Sequence, residues 1–296
     1  MSVAPRPRRS VLYMPGSNAR ALEKARSLPV DALILDLEDA VAPDAKELAR
    51  AQVAEAVQAG GFGPREVLVR VNSLDGPLGP ADMAAIAPVG ADGILVPKVS
   101  SGQDVVTAAQ AMSDAGAPDV TRLWVMIETP AAVLDPRGIA QAAANPANRL
   151  EGFVLGTNDL AKDTRARIVP GRAPMLPWIM TSLAAARLYD LAVIDGVYTD
   201  LEDIEGLEAE CRQSLDCGLD GKTLIHPKQI EIANRVFAPS DDDLQHARHV
   251  IAAFDLPENA DKGALRVDGK MVERLHAEMA RRTVAIAEAI AARNID

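Results

Sequence analysis

Short, continuously apolar runs recur along the chain and alternate with longer amphipathic segments. Parallel strands are buried on both faces, so runs of this kind favour a parallel sheet. Eight runs are predicted strands: SVLYMPG, ALILDLED, EVLVRVN, GILVPKV, LWVMIETP, GFVLGTNDL, AVIDGV and KTLIHP. The amphipathic segments between them are predicted helices over residues 20–28, 45–59, 79–87, 103–115, 136–144, 177–189 and 202–215.

This alternation predicts an α/β fold, a (β/α)8 barrel over residues 1–236. A doubly wound open sheet is the rival architecture, but no GxGxxG motif follows the first strand. The pattern changes after IHPKQI, where residues 237–296 are interpreted as a C-terminal lid or oligomerisation extension. Within it we predict a helix that starts at SDDD and runs to Phe254, a polar loop, and a final helix over residues 272–290.

Composition excludes several classes of protein. The chain has 296 residues, is 48% hydrophobic and carries a net charge of -11, which argues against nucleic acid as a partner. No window reaches the roughly 18 apolar residues of a membrane helix, and no apolar stretch follows PRPRR as in a signal peptide. A cytoplasmic protein is therefore expected, with Cys211 and Cys217 as free thiols.

Acidic residues follow two strands that should be neighbours in the barrel. Glu128 lies in IETP and Asp159 in GTNDL, a separation of 159 − 128 = 31 residues, about one βα repeat. Two carboxylates at strand ends suit Mg²⁺, a hard cation that also accepts water and substrate oxygens. Pairing with arginine or capping of a helix is the alternative for either acid.

A second polar group follows the second and third strands. Arg70 ends VLVRVN and is expected to face either a substrate carboxylate or a structural acid, with Glu38 as the obvious internal partner. Glu38 and Asp39 are predicted to hydrogen-bond metal-bound waters and to orient Arg70. Asp36, deeper in its strand, has no explanation from the sequence.

The stretch YMPGSNARALEKA is the predicted phosphate-binding segment. Ser17 or Asn18 is placed to cap the following helix, and Arg20 and Lys24 fall one turn apart on one face. The alternative is a solvated basic helix face.

Other polar residues carry weaker expectations. His226 is predicted to be a hydrogen-bonded residue at a strand end, and His246 and His249 to be solvated on a surface helix. The loop over residues 162–178 is expected to shape substrate specificity or simply to lie at the surface. Its arginines are Arg165, Arg167 and Arg172.

Together, RRSVLYMPGSNARALEKA, DALILDLEDAV, VRVN, MIETP, GTNDLA and GKTLIHPKQI resemble the citrate lyase β subunit family, within the HpcH/HpaI aldolase superfamily. Its stand-alone relatives are malyl-CoA, β-methylmalyl-CoA and citramalyl-CoA lyases and malyl-CoA thioesterase. The resemblance implies a TIM barrel, Arg70 as an active-site cation, and Mg²⁺, or alternatively Mn²⁺, held by Glu128 and Asp159. It also implies a homotrimer or hexamer, and a coenzyme A thioester bound near these residues: Tyr13, Asn18, Arg20 and Lys24.

The resemblance extends more weakly to the C-terminal tail. Family members with a closing lid carry an Asp soon after a G-x-M-[IV] stretch, which acts on the neighbouring subunit's site. Here VDGKMVERL places Glu273 at that position, with Asp268 as a second candidate. This lid motif favours a stand-alone enzyme over the β subunit of a citrate lyase complex.

The expected reaction is a reversible Claisen-type cleavage of a carboxylated 3-hydroxyacyl-CoA to an acyl-CoA and a 2-oxo acid. Mg²⁺ would polarise the oxygen at carbon 3, Arg70 would stabilise the enolate oxygen of the thioester, and Glu273 would move the proton. The alternatives are a malyl-CoA-type thioesterase, a metal-dependent aldolase on small 2-oxo acids, a citrate lyase β subunit, and a non-catalytic barrel. The sequence does not identify the acyl substrate.

Overall fold

The structure is a computed structural model that describes residues 5–293. Within it the chain forms two compact units. One spans Arg8–Arg235, and the other consists mainly of residues from Val236 onward.

The first unit is a closed barrel of eight parallel strands, numbered in chain order. Because β1 pairs with both β2 and β8, the open-sheet alternative is excluded and the predicted TIM barrel is confirmed. The strands are β1 Ser10–Pro15, β2 Ala32–Asp36, β3 Glu66–Arg70, β4 Gly93–Val96, β5 Arg122–Ile127, β6 Leu150–Leu155, β7 Ala192–Asp195 and β8 Gly221–Leu224. Every strand that the apolar runs predict is present.

Helices follow the strands and cover the outside of the barrel. They are α1 Ala19–Ala25, α2 Lys46–Ala59, α3 Leu78–Ile86, α4 Gly102–Asp114, α5 Pro130–Leu134, α6 Pro136–Gln141, α7 Thr157–Thr164, α8 Leu176–Arg187, α9 Ile204–Cys217 and α10 Ile230–Val236. The seven predicted helices are all found, with small shifts at their ends. Three short helices of this set are not predicted by the pattern: α5 and α7, which follow β5 and β6 directly, and α10.

The inside of the barrel is filled with side chains. An apolar cluster that includes Ile34, Leu68 and Trp124 occupies the interior. At the N-terminal ends of the strands, the guanidinium of Arg8 lies 4.7 Å from the centre of a Trp124 ring and pairs with Glu66 at 2.6 Å. The packed interior leaves the C-terminal ends of the strands as the place for polar chemistry.

The second unit contains helices α11 Asp241–Asp255 and α12 Arg274–Ala292 and a hairpin of strands β9 Ala264–Val267 and β10 Lys270–Glu273. Ser240 caps α11 as the sequence predicts, exchanging hydrogen bonds with Asp243. The expected polar loop is instead the hairpin. The final helix starts later than predicted because the residues before Arg274 pair in β10. Among the described residues, no helix is long and apolar enough to cross a membrane.

Candidate active site

Glu128 and Asp159 meet at the C-terminal ends of neighbouring strands, as their spacing predicts. Glu128 follows β5 and is fully buried, whereas Asp159 lies in the first turn of α7 with a side chain that is 26% exposed. Lys98, which follows β4, connects them. Its Nζ lies 2.8 Å from Asp159 Oδ1 and 3.4 Å from Glu128 Oε1. Lys98 lies at the end of the predicted strand GILVPKV, but no sequence pattern distinguishes it.

The two oxygens of Glu128 have different surroundings. Oε1 accepts the backbone N–H of Lys98 at 2.8 Å. Oε2 is buried and has no hydrogen-bond partner among the described residues. Burial raises the pKa of Glu128, and the positive charge of Lys98 opposes that rise. Burying a carboxylate oxygen without a partner costs free energy. Coordination of a hard divalent cation by that oxygen would compensate for this cost. This donor set fits Mg²⁺.

Gly156 makes room for this carboxylate. A Cβ added at Gly156 would lie 2.4 Å from Cβ of Glu128 and 2.6 Å from its Oε2. Both distances are shorter than real contacts of a Cβ atom. Glycine is therefore required between β6 and α7 if Glu128 is to keep its position.

Arg70 is held by a pair of parallel hydrogen bonds to Asp36. Its Nε and Nη2 donate to the two carboxylate oxygens of Asp36, both at 2.7 Å. The guanidinium carbon lies 4.9 Å from the centre of the Tyr13 ring. Asp36, unexplained from sequence, is the residue that holds the Arg70 guanidinium in place.

Glu38 and Asp39, the other two acids that follow β2, lie on the Nη1 side of Arg70. Glu38 Oε2 is 2.7 Å from Nη1, so the predicted pairing with Arg70 is present. Asp39 Oδ2 is 3.7 Å away and its side chain is 65% exposed. Burial raises the pKa of Glu38 to about 7, and the positive charge of Arg70 limits the rise. Glu38 is therefore a carboxyl group suited to proton transfer near neutral pH.

The four residues predicted around coenzyme A lie on β1 and at α1, the helix that follows it. Asn18 caps α1 by accepting the N–H of Ala21 at 3.1 Å, and Arg20 and Lys24 are exposed on that helix. Tyr13, on β1, packs against the cluster inside the barrel and lies beside Arg70. The exposed surface of α1 therefore carries two positive charges.

Arg172 is buried, so the expectation that it lies at the surface is wrong. Its Nη1 donates to both carboxylate oxygens of Asp195 at 2.8 Å. Lys222, also fully buried, contacts Asp195 at 3.1 Å and Glu210 at 2.7 Å. Although burial raises the pKa of Asp195, Lys222 and Arg172 hold it below its usual range. The network ties the loop before α8 to β7 and α9.

A cavity of about 310 Å³ lies beside that network. The loop that we expected to shape specificity contributes Ile168 through Arg172 to its wall. Thr157 and Asn158, the residues directly before Asp159, also line it. The cavity therefore adjoins the α7 turn that carries Asp159.

The remaining predicted residues are three histidines, Glu273 and the two cysteines. His226 Nδ1 accepts the N–H of Lys228 at 3.1 Å, which confirms the hydrogen-bonded reading. His246 and His249 have exposed side chains on α11, as predicted, and both Nδ1 atoms also contact Asp268, at 3.0 and 3.1 Å. Glu273 is exposed at the start of α12. The predicted free thiols are confirmed: Cys211 and Cys217.

Comparison with known proteins identifies the family of this chain. Residues 9–227 match the family described as HpcH/HpaI aldolase/citrate lyase. The (3S)-malyl-CoA thioesterase of Cereibacter sphaeroides strain KD131 is 49% identical, over 97% of this chain and 96% of its own. The citrate lyase subunit beta of Leuconostoc mesenteroides subsp. cremoris is 33% identical, over 95% and 94%.

A solved structure is similar over almost the whole chain. CitE from Mycobacterium tuberculosis, in complex with magnesium, acetoacetate and coenzyme A, has a TM-score of 0.76 and 26% identity. The match covers 96% of this chain and 99% of CitE. The barrel, the acidic strand ends and these matches lead to one assignment: the chain belongs to the HpcH/HpaI aldolase/citrate lyase family of enzymes.

Proposed function

We propose that this enzyme hydrolyses a carboxylated 3-hydroxyacyl-CoA thioester of the malyl-CoA type, with Mg²⁺ as its metal. The observation that carries the proposal is the buried, unpartnered Oε2 of Glu128 beside Asp159, at the same mouth as Arg70. The 49% identity to a malyl-CoA thioesterase over nearly the whole chain supports hydrolysis as the outcome. Carbon–carbon cleavage, the reaction expected from the sequence, is the second candidate, since citrate lyase subunits are also relatives.

Glu128 and Asp159 are the residues that would hold Mg²⁺. Both are hard oxygen donors, and Glu128 offers an oxygen that no described protein group satisfies. A bound Mg²⁺ supplies Lewis-acid polarisation of a substrate oxygen. The CitE structure with magnesium and coenzyme A supports the choice of metal.

Arg70 is the group that would stabilise charge on the thioester oxygen. Water attack and enolate formation both place negative charge on that oxygen, so one arginine serves both candidate reactions. The two hydrogen bonds that Arg70 donates to Asp36 fix the guanidinium before substrate binds, and preorganised donors cost no reorganisation during the reaction. Losing such a donor typically costs on the order of a hundredfold or more in rate.

Glu38 is proposed as the proton acceptor. Its Oε2 lies beside Arg70, and its pKa of about 7 favours proton exchange near neutral pH. In hydrolysis, the Glu38 carboxylate takes the proton from the attacking water while the new C–O bond forms. The C–S bond then breaks, and Glu38 returns that proton to the coenzyme A thiolate as it leaves. Asp39 would orient water at the exposed side of Arg70, and Glu273 is a further proposed acid that would act from the neighbouring subunit.

The coenzyme A portion is proposed to bind along α1. Arg20 and Lys24 are exposed there and supply positive charge on an otherwise acidic protein. The enzyme is further proposed to assemble as a homotrimer or hexamer.

A panel of malyl-, citramalyl- and β-methylmalyl-CoA, assayed with Mg²⁺, tests the proposal. Free coenzyme A and the 2-oxo acid are measured separately. Hydrolysis releases coenzyme A without a 2-oxo acid, whereas cleavage releases the 2-oxo acid and an acyl-CoA. E128Q should lose activity, and E55Q, at an exposed position on α2, should keep it. If the wild type keeps its full activity in EDTA and E128Q is as active as the wild type, the metal assignment is refuted.

A further inference from the structure

Lys98 has a backbone conformation that is unusual for a long side chain. Its φ is 58°, in the left-handed region that L-residues other than asparagine and aspartate seldom adopt. Strained residues of this kind persist where the surrounding structure holds them, and they cluster at functional sites. Here the hydrogen bond from the Lys98 N–H to Glu128 Oε1 accompanies that conformation. The backbone of Lys98 thus orients one of the two proposed metal ligands.

The side chain of Lys98 acts on the same pair of acids. Its ammonium contacts Asp159 and Glu128, at 2.8 and 3.4 Å. A lysine here supplies the positive charge that makes two close carboxylates tolerable, one of them fully buried. A divalent cation on those carboxylates would repel the ammonium, because like charges a few ångströms apart in a partly buried site are strongly unfavourable.

We propose that Lys98 is a built-in counter-ion of the Glu128–Asp159 pair, which competes with Mg²⁺ and leaves the pair when the metal binds. The inference rests on the proposed function, since it takes Glu128 and Asp159 as the metal ligands. The side chain is 32% exposed, so it already has a route towards solvent. The backbone hydrogen bond does not involve the ammonium, so Glu128 keeps its orientation in both states.

Calorimetric titration of Mg²⁺ into metal-free protein tests the competition. K98M removes the charge and keeps most of the bulk, and K98N removes it with a residue that tolerates the left-handed conformation. Both should bind Mg²⁺ about tenfold more tightly than the wild type, because the metal no longer has to displace the ammonium. A tenfold change corresponds to the free energy of about one charge-assisted hydrogen bond. K228M removes an exposed lysine elsewhere and controls for overall charge; its Mg²⁺ affinity should be unchanged.

Thermal melting with and without Mg²⁺ distinguishes the proposed role from a purely structural one. In EDTA, K98M and K98N should melt below the wild type, because the carboxylates have lost their cation. With saturating Mg²⁺ the difference should shrink, because the metal neutralises the same carboxylates. A lysine that only supports the fold would lower both melting temperatures equally, which would overturn the inference.

E128Q and D159N separate this inference from the proposed function. If both variants bind Mg²⁺ as the wild type does, the metal assignment is wrong and the role of Lys98 is wrong with it. If both lose the metal while K98M and K98N bind it no more tightly than the wild type, the role of Lys98 alone is refuted.

Discussion

Asp36 organises the polar cluster at the mouth of the barrel. Besides the two hydrogen bonds from Arg70, its carboxylate accepts the backbone N–H groups of Glu38 and Ala40, each at 3.0 Å. One fully buried carboxylate therefore sets both the direction of the guanidinium and the turn that carries Glu38. Four donors, two of them charged, compensate for its burial.

At the residue scale, Glu38 should make stability depend on pH in a metal-free protein. Burial raises the pKa of Glu38 from 4.5 to about 7. Its neutral form is favoured in the folded state, so the stability it contributes is present below pH 4.5 and is lost as the pH rises through 7. E38Q stays neutral, so from about pH 5 to about pH 8 it should lose less stability than the wild type, by on the order of 2 kcal/mol.

Urea unfolding in EDTA at the two pH values measures this effect. E38Q also loses the contact with Arg70, which lowers its stability by the same amount at both pH values. The difference in stability between the two pH values is therefore free of this cost. E23Q, at an exposed position on α1, should follow the wild-type dependence. A parallel pH dependence for E38Q and the wild type would show that Glu38 ionises normally.

Sequence reasoning identified the acids but only part of their connections. Glu128 and Asp159 were predicted because strand ends one repeat apart must be neighbours in a barrel. Asp36 stayed unexplained because its hydrogen bonds to Arg70 depend on the register of β2 against β3, where the two residues are paired partners. Lys98 was missed because a single lysine at a strand end has no distinctive spacing. Its left-handed backbone and its two contacts exist only in the folded barrel.

At the element scale, the junction between β6 and α7 sets the position of the proposed metal ligands. Gly156 lies against the Glu128 side chain, and α7 begins at the next residue and presents Asp159 in its first turn. The strand, the glycine and the helix start thus place both acids within reach of one cation. Any side chain at Gly156 would have to displace Glu128.

G156A should therefore weaken Mg²⁺ binding and activity together, by tenfold or more, with a loss of about 1–3 kcal/mol in stability from overpacking. G76A is the matched control, because the nearest atom to an added Cβ there is 3.9 Å away. Titration calorimetry and the coenzyme A release assay measure the two effects. Normal Mg²⁺ affinity in G156A would show that Glu128 tolerates displacement.

Elements were predicted best where burial is strong. The barrel strands are continuously apolar, so their positions follow from the sequence. The β9–β10 hairpin was missed because its strands have four residues each and are largely exposed. The Asp268–Gly269 pair at its turn was the available signal, since such pairs favour tight hairpins. The burial of Arg172 came from ion pairs with residues distant in sequence, which no local pattern shows.

At the scale of the whole barrel, the N-terminal end of the strands is closed by packed side chains, whereas the C-terminal end carries the polar residues. The N-terminal end is closed by the contacts of Arg8 with Trp124 and Glu66, and apolar side chains fill the interior above it. The acids and Arg70 lie at the opposite end. In the proposed complex, the acyl portion of the substrate lies against Glu128 and Asp159, while coenzyme A lies along α1, further out.

A barrel that is closed at its base should impose an order on the departure of products. Coenzyme A, lying outermost, should leave first, and the hydroxy acid beneath it should leave last. Product-inhibition kinetics with malyl-CoA then have a defined pattern: malate competes with malyl-CoA, because both bind the emptied enzyme, whereas coenzyme A inhibits non-competitively. The opposite pattern would mean that the small acid escapes past bound coenzyme A, by a route other than the mouth.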